Sequence, residues 1–466
     1  MKVMALGLNY STRKLLVDPV DGDKFAQTLL QSLGKNVDEV RSLSRSTTRG
    51  TTFRGSQEVE RKVVDLGNPL SVGWTFLVSD KDPRKDEIIR AMRPLAERRG
   101  MKDPEKPLVL NVTDVDDWLD WLQDNYFSPD VEQQPHYVLI VGDPQHVPFR
   151  FQSILATAGA VGRLDFDSIT DIEAYVAKVI RLETAKKTVV KNEALFFATD
   201  DGVQDPTYFS RRFMAEPLAK ARQNQKLNTT TLFGDDATKS QLLEALSKTK
   251  PALVYTASHG LGAPDQPFET QKKINGAICC RQTDDDYLLT AADIPTDQPF
   301  LEGAVVFQFA CYSYGTPAES DYEHWLGQPE LNTTSDFVAA LPKTLLAHSQ
   351  GPIAFVGHVD VAWLHGFEDP EFPGMYDVWN PRIEPFKKAV EALLGVQPPG
   401  QAMAPMSTRY DLYNAFLTNA YDRMQRGKPM PEDFPKRLVN QFITRSDAQN
   451  YMVLGDPAAC LRIPKK

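Results

Sequence analysis

Cysteine is scarce in this 466-residue chain: Cys279, Cys280, Cys311 and Cys460 are the only four. A disulfide framework belongs to small, cysteine-dense secreted domains, so none is expected here, and a reducing cytoplasm is the expected location. Long apolar runs are missing too; nothing approaches the roughly 18 unbroken apolar residues of a membrane span. The stretch Met1-Lys2-Val3-Met4-Ala5-Leu6-Gly7-Leu8-Asn9-Tyr10 has one lysine, no full hydrophobic region and no small-residue cleavage site. It reads as a first strand rather than a signal peptide. Basic residues are outnumbered, 52 against 62 acidic, and the resulting net charge of -10 argues against a nucleic-acid surface. No Walker loop or dinucleotide fingerprint occurs. Adjacent Cys279 and Cys280 lack further ligands at zinc-site spacing, and His324, His348, His358 and His365 form no metal motif, so no cofactor or metal is expected. Asp284-Asp285-Asp286 reads as a solvated acidic loop.

A hydrophobic content of 42% and six tryptophans provide ample core, and the length suits two or three domains. After a helix carrying Phe25, Leu29, Leu30 and Leu33, residues 42–57 are rich in Ser, Thr, Arg and Gly and read as a loop, a possible processing site. From Gly73 onward short apolar runs alternate with helical periodicity. Strands are expected at 74–78, 108–112, 136–141, 194–199, 252–257, 303–310, 351–357 and 451–454. Helices are expected between them, near 88–95, 115–125, 169–180, 207–224, 238–246 and 337–345, with two more at 409–426 and 432–445. Residues 396–407, rich in Pro, Gly, Ala and Met, read as an exposed loop. This alternation implies an α/β fold: a mostly parallel sheet covered on both faces, with functional groups beyond the carboxyl ends of its strands.

Two of those strands end on reactive residues. Ala252-Leu253-Val254-Tyr255-Thr256-Ala257 empties into Ser258-His259-Gly260, and Gly303-Ala304-Val305-Val306-Phe307-Gln308-Phe309-Ala310 ends on Cys311. A thiol attacks a peptide carbonyl as thiolate, and an imidazole can take its proton and later deliver it to the leaving amine. Gly260 lets backbone approach closely, so its N–H and that of Cys311 suit an oxyanion hole. The plain alternative is that Cys311 is a small buried hydrophobe and His259 a satisfied loop residue.

Ser258-His259-Gly260 and Gln308-Phe309-Ala310-Cys311 resemble the histidine and cysteine motifs of caspase-like (clan CD) cysteine peptidases, with the wider match to the gingipain family and CHAT-type domains. Leu288-Leu289-Thr290-Ala291-Ala292-Asp293-Ile294 resembles a CHAT segment lying between the two motifs. Tyr137-Val138-Leu139-Ile140-Val141-Gly142-Asp143 with Val147-Pro148, Val161-Gly162-Arg163-Leu164 before a helix containing Glu173, and Leu454-Gly455-Asp456-Pro457-Ala458 resemble gingipain segments in the correct order. The match runs from about 70 to 463.

The resemblance implies a caspase-like three-layer α/β/α fold with two related halves. The expected division is an N-terminal piece at 1–60, a non-catalytic half at 61–190 and a catalytic half at 191–466. It implies Cys311 as nucleophile, His259 as general acid/base, and Gly260 and Cys311 as oxyanion donors. Gln308, His358, Asp360 and Trp363 then fall where a substrate pocket is walled, with Asp360 able to meet a basic side chain. The segment 151–160, where gingipains carry acidic specificity and histidine-orienting residues, has no Asp or Glu here, so arginine specificity does not transfer. The expected activity is that of an intracellular, conditionally activated cysteine endopeptidase acting on a protein or peptide substrate, with an activating or inhibitory protein as a further expected partner. Neither nucleic acid nor membrane is an expected partner. The alternatives are a non-catalytic module binding a partner through the same groove, and a thiol acyltransferase.

Overall fold

The protein is described from a computed structural model covering residues 2–22, 24–25, 28, 65–127, 134–224, 228–282, 285–322, 333–367, 382–429 and 431–460. The expected loop at 42–57 and most of the helix around Phe25 lie outside these residues. Near the start, a short strand β1 (Gly7–Asn9) stands apart from the main sheet. The apolar runs then become β2 (Trp74–Ser79), β3 (Leu108–Leu110), β4 (Tyr137–Val141), β5 (Ala160–Leu164), β6 (Lys191–Ala198), β7 (Asn228–Phe233) and β8 (Pro251–Ala257). Next come β9 (Gly260–Gly262), which pairs with β1, and β10 (Val305–Phe309), β11 (Ala354–His358) and β12 (Tyr451–Gly455).

All but β1 and β9 of these join one ten-stranded sheet in the order β3-β2-β4-β5-β12-β11-β10-β8-β6-β7. Every neighbouring pair is parallel except β11 with β12. A parallel sheet buries both faces, and these strands show it residue by residue. Leu77, Val138 and Ile140 pack on one face with Trp118, Trp121 and Leu122 of the helix Val115–Asn125. The alternating Phe76, Leu139 and Val141 pack on the other with Ile88 and Met92 of Lys85–Arg98 and Tyr175 and Val179 of Ile169–Thr184. The result is the expected three-layer α/β/α arrangement. Serine and threonine caps set the helix starts: Ser168 accepts from the Asp171 N–H at 3.1 Å and Thr238 from that of Gln241 at 3.2 Å.

The local expectations fail in instructive places. Residues 396–407 are not an exposed loop but the turn Pro399–Ala402 and the start of the helix Ala404–Gln425, with Gly400, Ala402, Met403 and Met406 buried. Pro399 and Pro405 occupy first-turn helix positions, where a missing N–H is harmless, and Pro398 is the N-cap of the first turn. The expected helix at 207–224 is Pro206–Ser210 and Glu216–Asn224 joined by a π-helical turn, Arg211–Ala215. Edge strand β7 was not expected, because its sequence Asn-Thr-Thr-Thr-Leu-Phe is polar and its side chains are only half-buried. The helix Phe149–Leu155 was likewise not expected.

Candidate active site

Four neighbouring strands, β6, β8, β10 and β11, deliver the site at their carboxyl ends. In register, Ala257 of β8 stands beside Ala198 of β6 and Phe309 of β10, so the residues that follow emerge at one level. After β6, Asp205 caps the turn Pro206–Ser210, accepting from the Thr207 N–H at 2.8 Å. Past β8 comes His259, and past β10 comes Cys311; both are fully buried. Beyond β11 the chain runs through Val359, Asp360, Val361, Ala362 and Trp363.

The His259 ring is held on both nitrogens. Nε2 lies 2.9 and 3.1 Å from the two carboxylate oxygens of Asp205, and Nδ1 lies 2.7 Å from the Leu6 carbonyl oxygen. Both partners are acceptors, so the arrangement favours the doubly protonated ring over the neutral one. Its pKa is raised accordingly: burial opposes the charge, but the bond and ion pair with Asp205 and the Leu6 carbonyl outweigh it. On the other side of the pair, burial works to raise the Asp205 carboxyl, and His259 and Thr207 pull it below its ordinary value.

The Leu6 carbonyl also accepts the Gly260 N–H at 3.0 Å. Only glycine fits at 260, since a Cβ there would stand 1.8 Å from the Cys311 carbonyl oxygen. The Cys311 Sγ accepts from the Ala362 N–H at 3.1 Å. Burial pushes its thiol up to about 12, with the amides of Ala362 and Leu6 pulling the other way. Tyr312, next in sequence, has φ 56°, a left-handed conformation unusual for a bulky side chain. The turn is secured by its N–H, which donates to the Asp360 carbonyl at 2.9 Å.

With this geometry in place, the family model of peptidase family C25 matches residues 109–462. The chain belongs to peptidase family C25. It is therefore a caspase-like, clan CD cysteine endopeptidase, as its motifs implied. Among solved structures it is similar to the Arg-specific cysteine proteinase gingipain R at 12% identity and TM-score 0.46, covering 88% of this chain and 80% of that one. It is also similar to the complex of Porphyromonas gingivalis RgpB pro- and mature domains (12%, TM-score 0.47, 83% and 80%). A third solved protease shares 11% identity at TM-score 0.49, covering 83% of this chain and 78% of that one. No curated protein matches.

The other expected site residues of this C25 peptidase sit as follows. Gln308 is buried under the site, and its side-chain amide donates to the Gly276 and Ala277 carbonyls at 3.2 and 3.4 Å. His358 is buried between the Asp360 carbonyl at 3.1 Å and that of Asp447 at 3.3 Å. The Asp360 carboxylate accepts from the Ser320 hydroxyl at 2.7 Å, the Asp321 N–H at 2.9 Å and the Val361 N–H at 2.8 Å. Burial, then Asp321, pushes its pKa up to about 7. Trp363 lies edge-on to Tyr322 at 5.0 Å between ring centroids, and its backbone bridges to Ala5. Of the four, Trp363 alone pairs through its backbone with the N-terminal residues that include Leu6.

Asp205 is the residue that sequence reasoning missed. It is 54 positions from His259 and outside every motif, and its one visible signal is Asp-Pro shortly after an apolar strand, the mark of a capped helical turn. Asp201, Asp205 and His259 also lie close enough together to hold a cation, as do Asp82, Asp143 and His146. In the first group Asp205 is already engaged by His259 and Thr207.

Proposed function

We propose that this C25 peptidase cleaves a protein substrate through a thioester acyl-enzyme, with Cys311 as nucleophile, His259 as general acid/base and Asp205 orienting the imidazole. The Cys311 thiol loses its proton to His259, and Sγ bonds to the scissile carbonyl carbon. The N–H groups of Gly260 and Cys311 stabilise the oxyanion. The C–N bond then breaks as His259 hands the proton to the departing amine. Water, deprotonated by the same imidazole, displaces Sγ and restores the thiol. The observation that carries this reading is the convergence of the His259 Nδ1 and the Gly260 N–H on a single peptide carbonyl, that of Leu6, beside the Cys311 side chain.

Family membership supports a peptide or protein as substrate. An intracellular setting is supported by the scarcity of cysteine in so long a chain, and conditional activation by the burial of both Cys311 and His259. A restraining protein partner fits the same picture. Cleavage profiling with a proteome-derived peptide library, wild type against Cys311→Ala, tests the mechanism. The substitution is expected to lower kcat/KM by at least about 10⁴-fold. Cleavage that survives it unchanged would refute the assignment.

A further inference from the structure

The chain's own residues 4–9 cross the site as an extended strand. Ala5 bridges antiparallel to Trp363, the Leu6 N–H donates to the Ala362 carbonyl at 3.1 Å, and the Leu364 N–H donates to that of Met4 at 3.3 Å. On the far side of Leu6 the pairing changes partner. Gly7–Asn9 runs parallel to Gly260–Gly262, and the Tyr10 N–H donates to the Gly262 carbonyl at 3.0 Å. Main-chain pairing on both sides of one residue is how an extended peptide is held by a recognition groove.

At the point of changeover the carbonyl of Leu6 receives the Gly260 N–H and faces His259, at the 2.7–3.0 Å expected of donors aimed at an oxyanion. A Cβ built on Gly7 would stand 3.6 Å from the Cys311 Sγ. Leu6 thus supplies the acyl side, and Gly7 the amine side, of the peptide bond presented to the reacting groups. The Leu6 side chain is fully buried, in the same apolar cluster as Val361, Ala362 and Trp363. Of the acids at that wall, Asp360 already accepts three protein donors through its carboxylate, and Asp447 accepts the Trp363 N–H at 3.2 Å.

We propose that the primary specificity site of this peptidase takes leucine, and that the segment around Leu6–Gly7 is a tethered, substrate-like occupant that must leave before another peptide can bind. The inference rests on the reading of Cys311 and His259 as the reacting pair. It accounts for a bound segment that stays intact: with the cleft filled, burial keeps the thiol protonated.

The test compares two peptidyl electrophiles, Val-Met-Ala-Leu and Val-Met-Ala-Arg, on the wild-type chain and on Leu6→Asp, with Cys311 labelling read by mass spectrometry. The leucine probe is expected to label at least about tenfold faster than the arginine probe on both chains, since a buried apolar pocket rejects a charge it cannot pair. Leu6→Asp is expected to raise the labelling rate at least about tenfold by expelling the segment. Should Leu6→Asp melt below the wild type, the free peptide Val-Met-Ala-Leu-Gly-Leu-Asn replaces it, and is expected to slow wild-type labelling where its Leu→Asp counterpart does not. Equal labelling by both probes, or faster labelling by the arginine probe, overturns the inference and leaves the Cys311–His259 reading standing. Failure of both probes to label Cys311 in either folded chain removes that reading, and the inference with it.

Discussion

Arg99 and His259 are both buried basic groups held by carboxylates, yet they are built for opposite ends. Arg99 follows the helix Lys85–Arg98 and donates to Glu183 at 2.7 and 2.9 Å and to Asp456 at 2.5 and 2.8 Å. Asp456, at the end of β12, also accepts the Trp74 indole N–H at 3.0 Å and the Ala458 N–H at 3.1 Å. Each member of that cluster is engaged by the fold itself, tying the strand β12 to helices that cover β2 and β5. The His259 pair is anchored on one nitrogen only; the other meets a peptide carbonyl that belongs to the occupant of a groove. A buried charge whose partners are all structural stabilises or specifies the fold, whereas one with a direction left for a peptide can transfer a proton.

Substitutions can break this contrast. Arg99→Met leaves Glu183 and Asp456 buried without their shared cation, so it is expected to cost about 3–5 kcal/mol of folding free energy in urea denaturation. The fraction that remains folded should label and cleave like wild type; a selective loss of activity would make the cluster part of the site. Asp205→Asn should do the reverse. Its folding cost is about 1–2 kcal/mol, while kcat/KM falls about 10²–10⁴-fold because the imidazole loses the anionic partner that fixes its tautomer and orientation.

The pH response sharpens the comparison further. His259 has a folded pKa raised above its ordinary 6.5, so its stabilising contribution is complete below that value and is lost as pH rises through the folded pKa. Asp205, depressed below 3.8, contributes above that value and loses its contribution as pH falls through its folded pKa. The general base must start as neutral imidazole, so the acid limb of kcat/KM is expected above pH 6.5 and should move down in Asp205→Asn. A limb that stays in place would detach Asp205 from the histidine.

The smallest effect is expected at Ser320→Ala, about 1 kcal/mol at neutral pH by thermal melting. Asp360 titrates at about 7, and the Ser320 hydroxyl favours its ionised form. Loss of that donor therefore weakens the fold most above that pH and least well below it. A uniform effect across the range would mean that Asp360 is not ionising in the window.

Much of the sheet was legible because fully buried strands leave unbroken apolar runs: Tyr137–Val141, Pro251–Ala257 and Val305–Phe309 are buried at every position. The polar edge strand Asn228–Phe233 leaves no such run, and Pro399–Ala402 carries loop-like residues into a buried turn. The cysteine and histidine motifs were legible because each terminates an apolar strand. Asp205 was not, because a carboxylate becomes an orienting residue only when another strand end brings a histidine to it.

What the sequence by itself determined is local: which runs must be buried, which of them end on a thiol or an imidazole, and that an α/β sheet would bring such ends to one edge. The tertiary structure decided every relation between distant residues. It set Asp205 on His259, pressed Gly260 against Cys311, engaged Asp360 with Ser320, and laid Leu6 across the site. The first strand could be read from its apolar pattern, but its seat depends on the amides and carbonyls of Gly260 and Ala362, and backbone donors and acceptors are the same in every residue but proline. Their direction exists only in the fold.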